Sequence, residues 1–433
     1  MDDVRWVIYI GAGLCGFGVL YLLSTAVLAR RELAAVRREF SELDWAPLSY
    51  ASSADGTAPL HMLAVWPRQT RRMRLTVMMH GYTESAADYF SAACHQARQG
   101  RMVLLPDMRG RHSALRYPME LLARRRPLGL RLPLWRSVLS TSVSPLASGV
   151  FTSAGRPDSG GVELLDIRDA VMLARSRFRG RLEPGADIVG YSGGATSALL
   201  AAMRFPALFQ RVMAFFPILD FAAQEQHLQQ LGRGPLQQLR TWIGGGPTQA
   251  GRLAARAGRL AARRLLDGLQ NLRRASVVVL ADSADELSPP GPLQQLTRRA
   301  KPYPNLQVRI SHPGDERRFQ HETPDEDSPL RSRWPEPPAG ANPLIDGSWS
   351  VLGYLVAPDV EIWLDDGQQG HARCIITRGA DRVTVQLEPV ELQPGARVRL
   401  RVRFDDRWQE RVVPPRRGTH HFERSTNNRR GPE

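Results

Sequence analysis

Short runs of nearly continuous apolar residues alternate with helical stretches through the middle of this chain. The runs predict strands at residues 75–79, 102–105, 187–189, 212–216, 277–280 and 306–310, and the stretches predict helices at residues 86–99, 162–177, 195–204 and 292–299. Apolar strands separated by helices are typical of a parallel sheet covered on both faces. An antiparallel hairpin with strands at residues 48–50 and 60–66 and a turn at 54–56 is predicted in front of them. The pattern therefore predicts an α/β domain over residues 41–330.

The pattern changes after a linker rich in proline and charge at residues 331–343. Short alternating strands follow at residues 360–364, 372–376, 383–387 and 397–404, separated by glycine-containing turns. Period-two alternation with such turns predicts a small all-β domain over residues 344–413. Residues 414–433 are polar and basic, and we predict a disordered tail there.

The first 40 residues predict a membrane anchor followed by a charged helix. Residues 6–29 contain no charge, and 24 residues at about 1.5 Å each make a helix of roughly 36 Å, which spans a bilayer. A cleaved signal peptide is the alternative, but Asp2 and Asp3 precede the apolar stretch and no clean cleavage site follows it. Four arginines lie within residues 30–38, so the positive-inside rule predicts a single-pass protein of the inner or cell membrane with a cytoplasmic catalytic domain.

The charge balance narrows the class of partner. The net charge is +15 and Lys301 is the only lysine. Such a charge favours nucleic acid, anionic lipid or acidic substrates, and because no nucleic-acid motif is present we favour an anionic membrane surface. The three cysteines, Cys15, Cys94 and Cys374, are too far apart in sequence to indicate a metal site or a disulfide framework, so no metal or cofactor is predicted.

One stretch carries the candidate chemistry. Residues 187–189 predict the end of a buried strand, residues 195–204 predict a helix, and Gly190-Tyr191-Ser192-Gly193-Gly194 stands between them. This is G-x-S-x-G in a strand–turn–helix context, where flanking glycines permit a sharp turn that exposes the serine hydroxyl. The motif predicts a nucleophile elbow with Ser192 as nucleophile.

The ordered motifs DGT, HG, DxRG, GGxE and GxSGG resemble those of the α/β-hydrolase family, in particular the prolyl-oligopeptidase and dienelactone-hydrolase-like enzymes. The resemblance covers about residues 48–323 and implies an α/β-hydrolase fold. Two insertions interrupt it, at residues 113–150 and 225–272. The first is rich in arginine and is predicted to be a lid, with either a solvated basic face or a face against anionic lipid headgroups. The second occupies the place of the family's cap helices.

The resemblance also implies a triad in the order serine, acid, histidine. The acid is expected in the loop after residues 277–280, where we favour Asp285 over its neighbours Asp282 and Glu286. For the histidine we favour His321, with His312 as the alternative. The loop lacks the family's usual Gly-His pair, which leaves open that the base is lost.

Two backbone N–H groups are needed to stabilise an oxyanion. The resemblance implies that Gly193 supplies one and Tyr82, in His80-Gly81-Tyr82, supplies the other. His80 is expected to be a structural hydrogen-bonding residue. Asp107 and Arg109 of the DxRG motif are expected to anchor a loop by an ion pair. The remaining motif residues are expected to form a loop that enters a helix, namely Asp158, Gly160, Gly161 and Glu163.

These residues predict a membrane-anchored serine hydrolase that acts on a small-molecule or peptide acyl substrate. The alternative is a degenerate hydrolase that serves as a membrane-tethered binding or regulatory module, with the β-domain contacting a protein partner. The β-domain resembles a PilZ-type barrel, but the RxxxR and [DN]xSxxG motifs that bind cyclic di-GMP in that family are absent where expected. We therefore predict an accessory barrel without a nucleotide.

Overall fold

The computed structural model describes residues 38, 40–81, 84, 86–109, 161, 163–230, 259–285, 287–315, 346–365, 370–393 and 395–424. No helix within these residues is long and apolar enough to cross a membrane. The predicted span at residues 6–29, the insertion at 113–150 and the linker at 331–343 lie outside the described residues.

The first sheet has eight strands in the order β1-β2-β4-β3-β5-β6-β7-β8. They are β1 (Leu43–Tyr50), β2 (Leu60–Pro67), β3 (Met73–Met79), β4 (Arg101–Pro106), β5 (Leu182–Tyr191), β6 (Phe209–Phe215), β7 (Ser276–Asp282) and β8 (Leu306–Ser311). Strands β1 and β2 pair with each other antiparallel, β2 pairs with β4 antiparallel, and β3 to β8 run parallel. Each predicted strand of this domain is present, and most extend a few residues further than predicted.

Helices cover both faces of this sheet. They are α1 (Phe90–Arg98), α2 (Glu163–Arg177), α3 (Gly193–Arg204), α4 (Phe221–Gln230) and α5 (Pro290–Ala300). Adjacent residues of one strand point to opposite faces: Ile188 packs in the core with α2 and α3, whereas Val189 packs in the core with α1. Both faces are therefore apolar, which explains why the strands lack polar alternation. The architecture is the predicted α/β-hydrolase fold.

Arg109 ties the first hairpin to α2. Its guanidinium donates to Asp166 at 2.6 Å and to Asp55 at 2.6 Å. Asp107 instead accepts the N–H of Ala86 at 3.1 Å. The DxRG motif therefore anchors loops, as predicted. The ion-pair partners of Arg109 are Asp55 and Asp166, and not Asp107 of the same motif.

The second sheet is antiparallel and has the order β15-β14-β11-β10-β9-β12-β13-β16. Its strands are β9 (Gly347–Leu352), β10 (Tyr354–Val356), β11 (Val360–Leu364), β12 (His371–Arg378), β13 (Arg382–Glu391), β14 (Val398–Phe404), β15 (Arg407–Val413) and β16 (Gly418–Glu423). The all-β domain is confirmed. The prediction of a disordered tail from residue 414 is wrong over β16, because β16 pairs with β13 and buries Phe422 in the domain core.

The second domain docks on the end of the predicted insertion at residues 225–272. The Asn271 side chain donates to the Ser350 carbonyl at 2.6 Å and accepts the Ser350 N–H at 2.8 Å. A Cβ on Gly268 would lie 2.7 Å from the ends of the Leu352 and Met203 side chains, so these side chains would have to shift to admit one. Residues 259–272 were expected to belong to a cap, but they pack beside α3 and under the β-domain because Leu265, Leu269 and Leu272 are buried there.

Candidate active site

Ser192 stands in a strained turn between β5 and α3. Its backbone has φ 50° and ψ −120°, a left-handed conformation that non-glycine residues rarely adopt. The Ser192 N–H donates to the Phe215 carbonyl at 2.8 Å, and its own carbonyl accepts the N–H of Ala195 at 3.0 Å. The side chain is partly exposed. Backbone strain held by surrounding bonds is the geometry of a nucleophile elbow.

The two outer glycines of the motif make this turn possible. A Cβ on Gly190 would lie 2.1 Å from the Gly194 carbonyl oxygen, and a Cβ on Gly194 would lie 2.4 Å from the His80 carbonyl oxygen. Neither backbone atom could move aside without breaking the strand and helix on each side. The motif glycines are therefore required by contact with backbone atoms.

The loop after β3, which is predicted to supply an oxyanion donor, lies beside the serine. A Cβ on Gly81 would lie 3.7 Å from Ser192 Cβ, which brings the end of β3 next to the elbow. Gly193 is the first residue of α3, so its N–H is among the first-turn donors that have no partner within the helix. Tyr82, the other predicted donor, lies outside the described residues.

Glu84, which no sequence motif indicated, holds the loop after β3 in place. Its carboxylate accepts the Gly81 N–H at 2.8 Å and the hydroxyl of Tyr89, and its N–H donates to the Gly81 carbonyl at 3.1 Å. Burial and the charge of Glu84 raise the pKa of Tyr89 well above its ordinary value, so Tyr89 remains a donor. No spacing in the sequence distinguishes Glu84 from any other carboxylate in a turn.

The His80 ring is hydrogen-bonded to the same loop. Its Nδ1 lies 2.8 Å from the Gly81 carbonyl oxygen, and its Nε2 accepts the Met108 N–H at 3.2 Å. Since Nε2 accepts, the proton is on Nδ1 and is donated to Gly81. The ring is fully buried between backbone groups, which is a structural role.

The candidate acids follow β7. Asp282 is buried at the end of the strand, where it accepts the Ala284 N–H at 2.7 Å and the Ser311 hydroxyl at 2.8 Å. Asp285 accepts the Leu287 N–H at 3.0 Å and the Ser288 hydroxyl at 2.8 Å, and its side chain is partly exposed. Asp282 therefore closes the turn that presents Asp285. Glu286 lies outside the described residues.

Of the two candidate histidines, the structure describes His312. His312 follows β8, its Nδ1 lies 2.9 Å from Ser283 Oγ, and its N–H donates to Asp315 at 2.7 Å. The described residues contain no hydrogen bond between His312 and Ser192. His321 lies outside the described residues.

The GGxE motif leads into α2. Gly161 accepts hydrogen bonds from Arg204 and from the Tyr354 hydroxyl, each at 3.3 Å. Glu163 is the first residue of α2 and is buried, where the helix dipole favours a negative charge. Asp158 and Gly160 lie outside the described residues. Within the described part of the chain, no group of three His, Cys, Asp or Glu side chains could hold a metal ion.

Comparison with known proteins finds a family match over part of the chain. The Esterase family model matches residues 172–326, a range that begins in α2 and contains Ser192, Asp285 and both candidate histidines. No curated protein sequence matches the chain.

Several solved hydrolase structures resemble the chain at low sequence identity. The Pyrococcus furiosus esterase Pf2001 is 13% identical, with 64% of this chain and 85% of that chain covered and a TM-score of 0.40. An acetyl xylan esterase from Paenibacillus sp. R4 is 18% identical, with 65% and 79% covered and a TM-score of 0.40. An S-formylglutathione hydrolase from Agrobacterium tumefaciens is 13% identical, with 65% and 90% covered and a TM-score of 0.38. The fold and the family match over residues 172–326 together support a hydrolase of the esterase type.

Proposed function

We propose that this protein is a serine hydrolase that cleaves an ester, or an amide, through an acyl-enzyme intermediate on Ser192. The observation that carries the proposal is the Ser192 backbone, held at φ 50° between β5 and α3. Such strain persists only where the surrounding structure imposes it, and here it presents the hydroxyl above the sheet. The match to the Esterase family model supports an ester substrate.

In this mechanism Ser192 Oγ attacks the substrate carbonyl carbon while His321 takes the hydroxyl proton. Asp285 orients the histidine and stabilises its charged form. The Gly193 and Tyr82 N–H groups stabilise the tetrahedral oxyanion. The histidine then protonates the leaving alcohol or amine, and water hydrolyses the acyl-enzyme by the same route.

Contacts at Asp285 and at His312 support this assignment of roles. Asp285 is held in place by hydrogen bonds from the Leu287 N–H and the Ser288 hydroxyl. The imidazole of His312 is engaged by Ser283, which leaves His321 as the better candidate for the base. Both roles are part of the proposal.

We also propose that residues 6–29 anchor the enzyme and that the catalytic domain is cytoplasmic. The support is the 24-residue uncharged stretch and the four arginines that follow it. A C-terminal green fluorescent fusion should therefore be bright and an alkaline phosphatase fusion inactive in intact cells. The opposite pattern would place the catalytic domain outside.

Labelling with a fluorophosphonate probe tests the central proposal. Wild-type protein should be labelled and should hydrolyse short p-nitrophenyl esters, and Ser192→Ala should abolish both. Ser197→Ala is the matched control: it lies on the same helix, and its buried hydroxyl has no partner in the part of the chain that the structure describes. Labelling of Ser192→Ala at the wild-type level would place the nucleophile elsewhere. Absence of wild-type labelling would favour the degenerate binding module.

A further inference from the structure

A concave surface lined by arginines lies at the edge of the first sheet opposite Ser192. Ser192 follows the carboxyl end of β5, whereas Arg74, Arg101 and Arg211 lie near the amino ends of β3, β4 and β6. Asp187 of β5 lies five residues before Ser192, roughly 17 Å away along an extended strand. The concave surface is lined by Arg72, Arg74, Gln99, Gly100, Arg101, Glu183 and Arg211.

A cluster of ion pairs forms the floor of this surface. Asp187 is fully buried, and its carboxylate lies 2.7 Å from Arg101 Nη1 and 2.8 Å from Arg211 Nε. Arg101 also donates to the Thr76 hydroxyl at 3.0 Å. Two arginines are therefore held in place by contacts that do not depend on any ligand.

The rim of the surface adds positive charge beyond what these carboxylates balance. Arg74 donates to Glu183 at 3.0 Å and lies 4.0 Å from Asp187, and Arg72 has no ion-pair partner among the described residues. Four guanidinium groups thus face two carboxylates. Burial lowers the pKa of Arg101; the charge and hydrogen bond of Asp187 oppose this shift, whereas the charges of Arg211 and Arg74 add to it. An anion at this place would relieve the repulsion between them.

The chemistry of the cluster favours a phosphate group. Guanidinium groups match the oxygens of phosphate with paired hydrogen bonds, and several of them can share one multiply charged group. Gly100 has φ +82° and nothing within 4 Å of the position of a Cβ, so the surface is open there.

The chain enters the domain beside this surface. Arg98 lies over the Phe40 ring at 4.6 Å and pairs with Glu42 at 2.6 Å, and the next two residues, Gln99 and Gly100, line the concave surface. The proposed anchor ends at residue 29, close in sequence to Phe40. If that anchor is in a bilayer, residues 30–39 separate it in sequence from Phe40, so a lipid headgroup is one candidate source of the phosphate.

We propose that the concave surface is a binding site for a phosphate-bearing ligand, either a lipid headgroup or a free phosphate compound. The site is separate from Ser192 and does not depend on the proposed reaction. The substitutions that test it are Arg72→Gln and Arg74→Gln together, because Arg101 and Arg211 are needed to balance buried Asp187. The matched control is Arg373→Gln with Arg407→Gln. Both arginines are exposed in the β-domain, and replacing them removes the same amount of positive charge.

Calorimetric titration of the purified full chain with three probes provides the test. The probes are inorganic phosphate, soluble dihexanoyl phosphatidic acid and dihexanoyl phosphatidylcholine. We expect saturable binding of at least one of the first two, at least 10-fold weaker in the Arg72/Arg74 pair and within 2-fold of wild type in the control pair. Tighter binding of phosphatidic acid than of phosphate identifies a lipid headgroup, and the reverse identifies a free phosphate compound.

Two results would overturn the site. One is the absence of saturable binding of both phosphate and phosphatidic acid to the wild-type chain. The other is equal weakening in the two double variants, which would show that net charge alone attracts the anion. If the Arg72/Arg74 pair does not fold, Arg72→Gln alone decides, because it removes no ion pair among the described residues.

Discussion

The guanidinium carbon of Arg204 lies 4.5 Å from the centre of the Tyr354 ring. Arg204 is the last residue of α3, the helix that begins beside Ser192, and Tyr354 is the first residue of β10 in the second domain. Arg204 also donates to the Ala262 carbonyl at 2.7 Å, and the Tyr354 ring stacks on Trp363 at 4.9 Å. The helix that follows Ser192 is therefore covered at its far end by the β-domain.

Truncation of Tyr354 should destabilise both domains. Tyr354→Ala removes a buried ring that packs on Phe205 and Arg204, and loss of such a ring costs about 3–5 kcal/mol of unfolding free energy. Val412→Ala is the control, because Val412 is 57% exposed. Urea denaturation followed by fluorescence measures the unfolding free energy of each variant. A change below about 1 kcal/mol for Tyr354→Ala would contradict the docking described here.

Loss of Glu84 should slow the proposed reaction without weakening substrate binding. Glu84→Ala leaves the Gly81 N–H without its carboxylate and loosens the loop beside Ser192. We expect kcat to fall about 10- to 100-fold with KM changed less than about 3-fold, since loss of a direct oxyanion donor costs 10²–10³. Glu84→Gln should restore part of the rate, because its amide oxygen can accept the same hydrogen bond. Equal effects on kcat and KM would argue against a positioning role.

The two histidines should differ in their effect on turnover. His321→Ala should lower kcat by roughly 10³-fold or more, because it removes the proposed general base. His312→Ala should have a far smaller effect, since its ring contacts Ser283. Steady-state kinetics with a p-nitrophenyl ester separate the two, and the reverse order would assign the base to His312.

The Asp55–Arg109 ion pair should make stability depend on acid pH. The hydrogen bond from Arg109 holds the pKa of Asp55 well below its ordinary value of 3.8. The folded state therefore gains from the charged carboxylate above pH 3.8, and the gain is lost as the pH falls further. Because Asp55 is 43% exposed, the gain is small, about 1 kcal/mol or less.

Thermal unfolding of Asp55→Asn against wild type checks this sign. The variant should unfold at a lower temperature at pH 6, and the difference should shrink between pH 4 and pH 2.5. Asp381→Asn, which removes a 70% exposed partner of Arg424, is the control and should differ little from wild type at either pH. A difference that grows toward low pH would contradict the assignment.

Local pattern was sufficient for the strands, for four of the five helices described and for the turn at Ser192 in the first domain; α4 was not predicted. Continuous apolar runs such as β7 are buried on both faces, and glycine at positions 190 and 194 permits the sharp turn observed at Ser192. Burial and backbone sterics depend on residues that are close in sequence, so a local sequence pattern can predict them. The strand β16 was missed because its one buried anchor, Phe422, stands among polar residues, and pairing with β13 decides its conformation.

Contacts between distant residues were decided by the tertiary structure alone. Gly81 and Glu84 are neighbours, but their approach to Ser192 depends on β3 pairing with β5. In the same way, Asp187 of β5 meets Arg211 from the adjacent strand β6 and Arg101 from β4, which lies on the other side of β3. The sequence determined which residues could carry charge or chemistry; the parallel register of the sheet decided which of them meet, because strand order is set by packing over the whole domain.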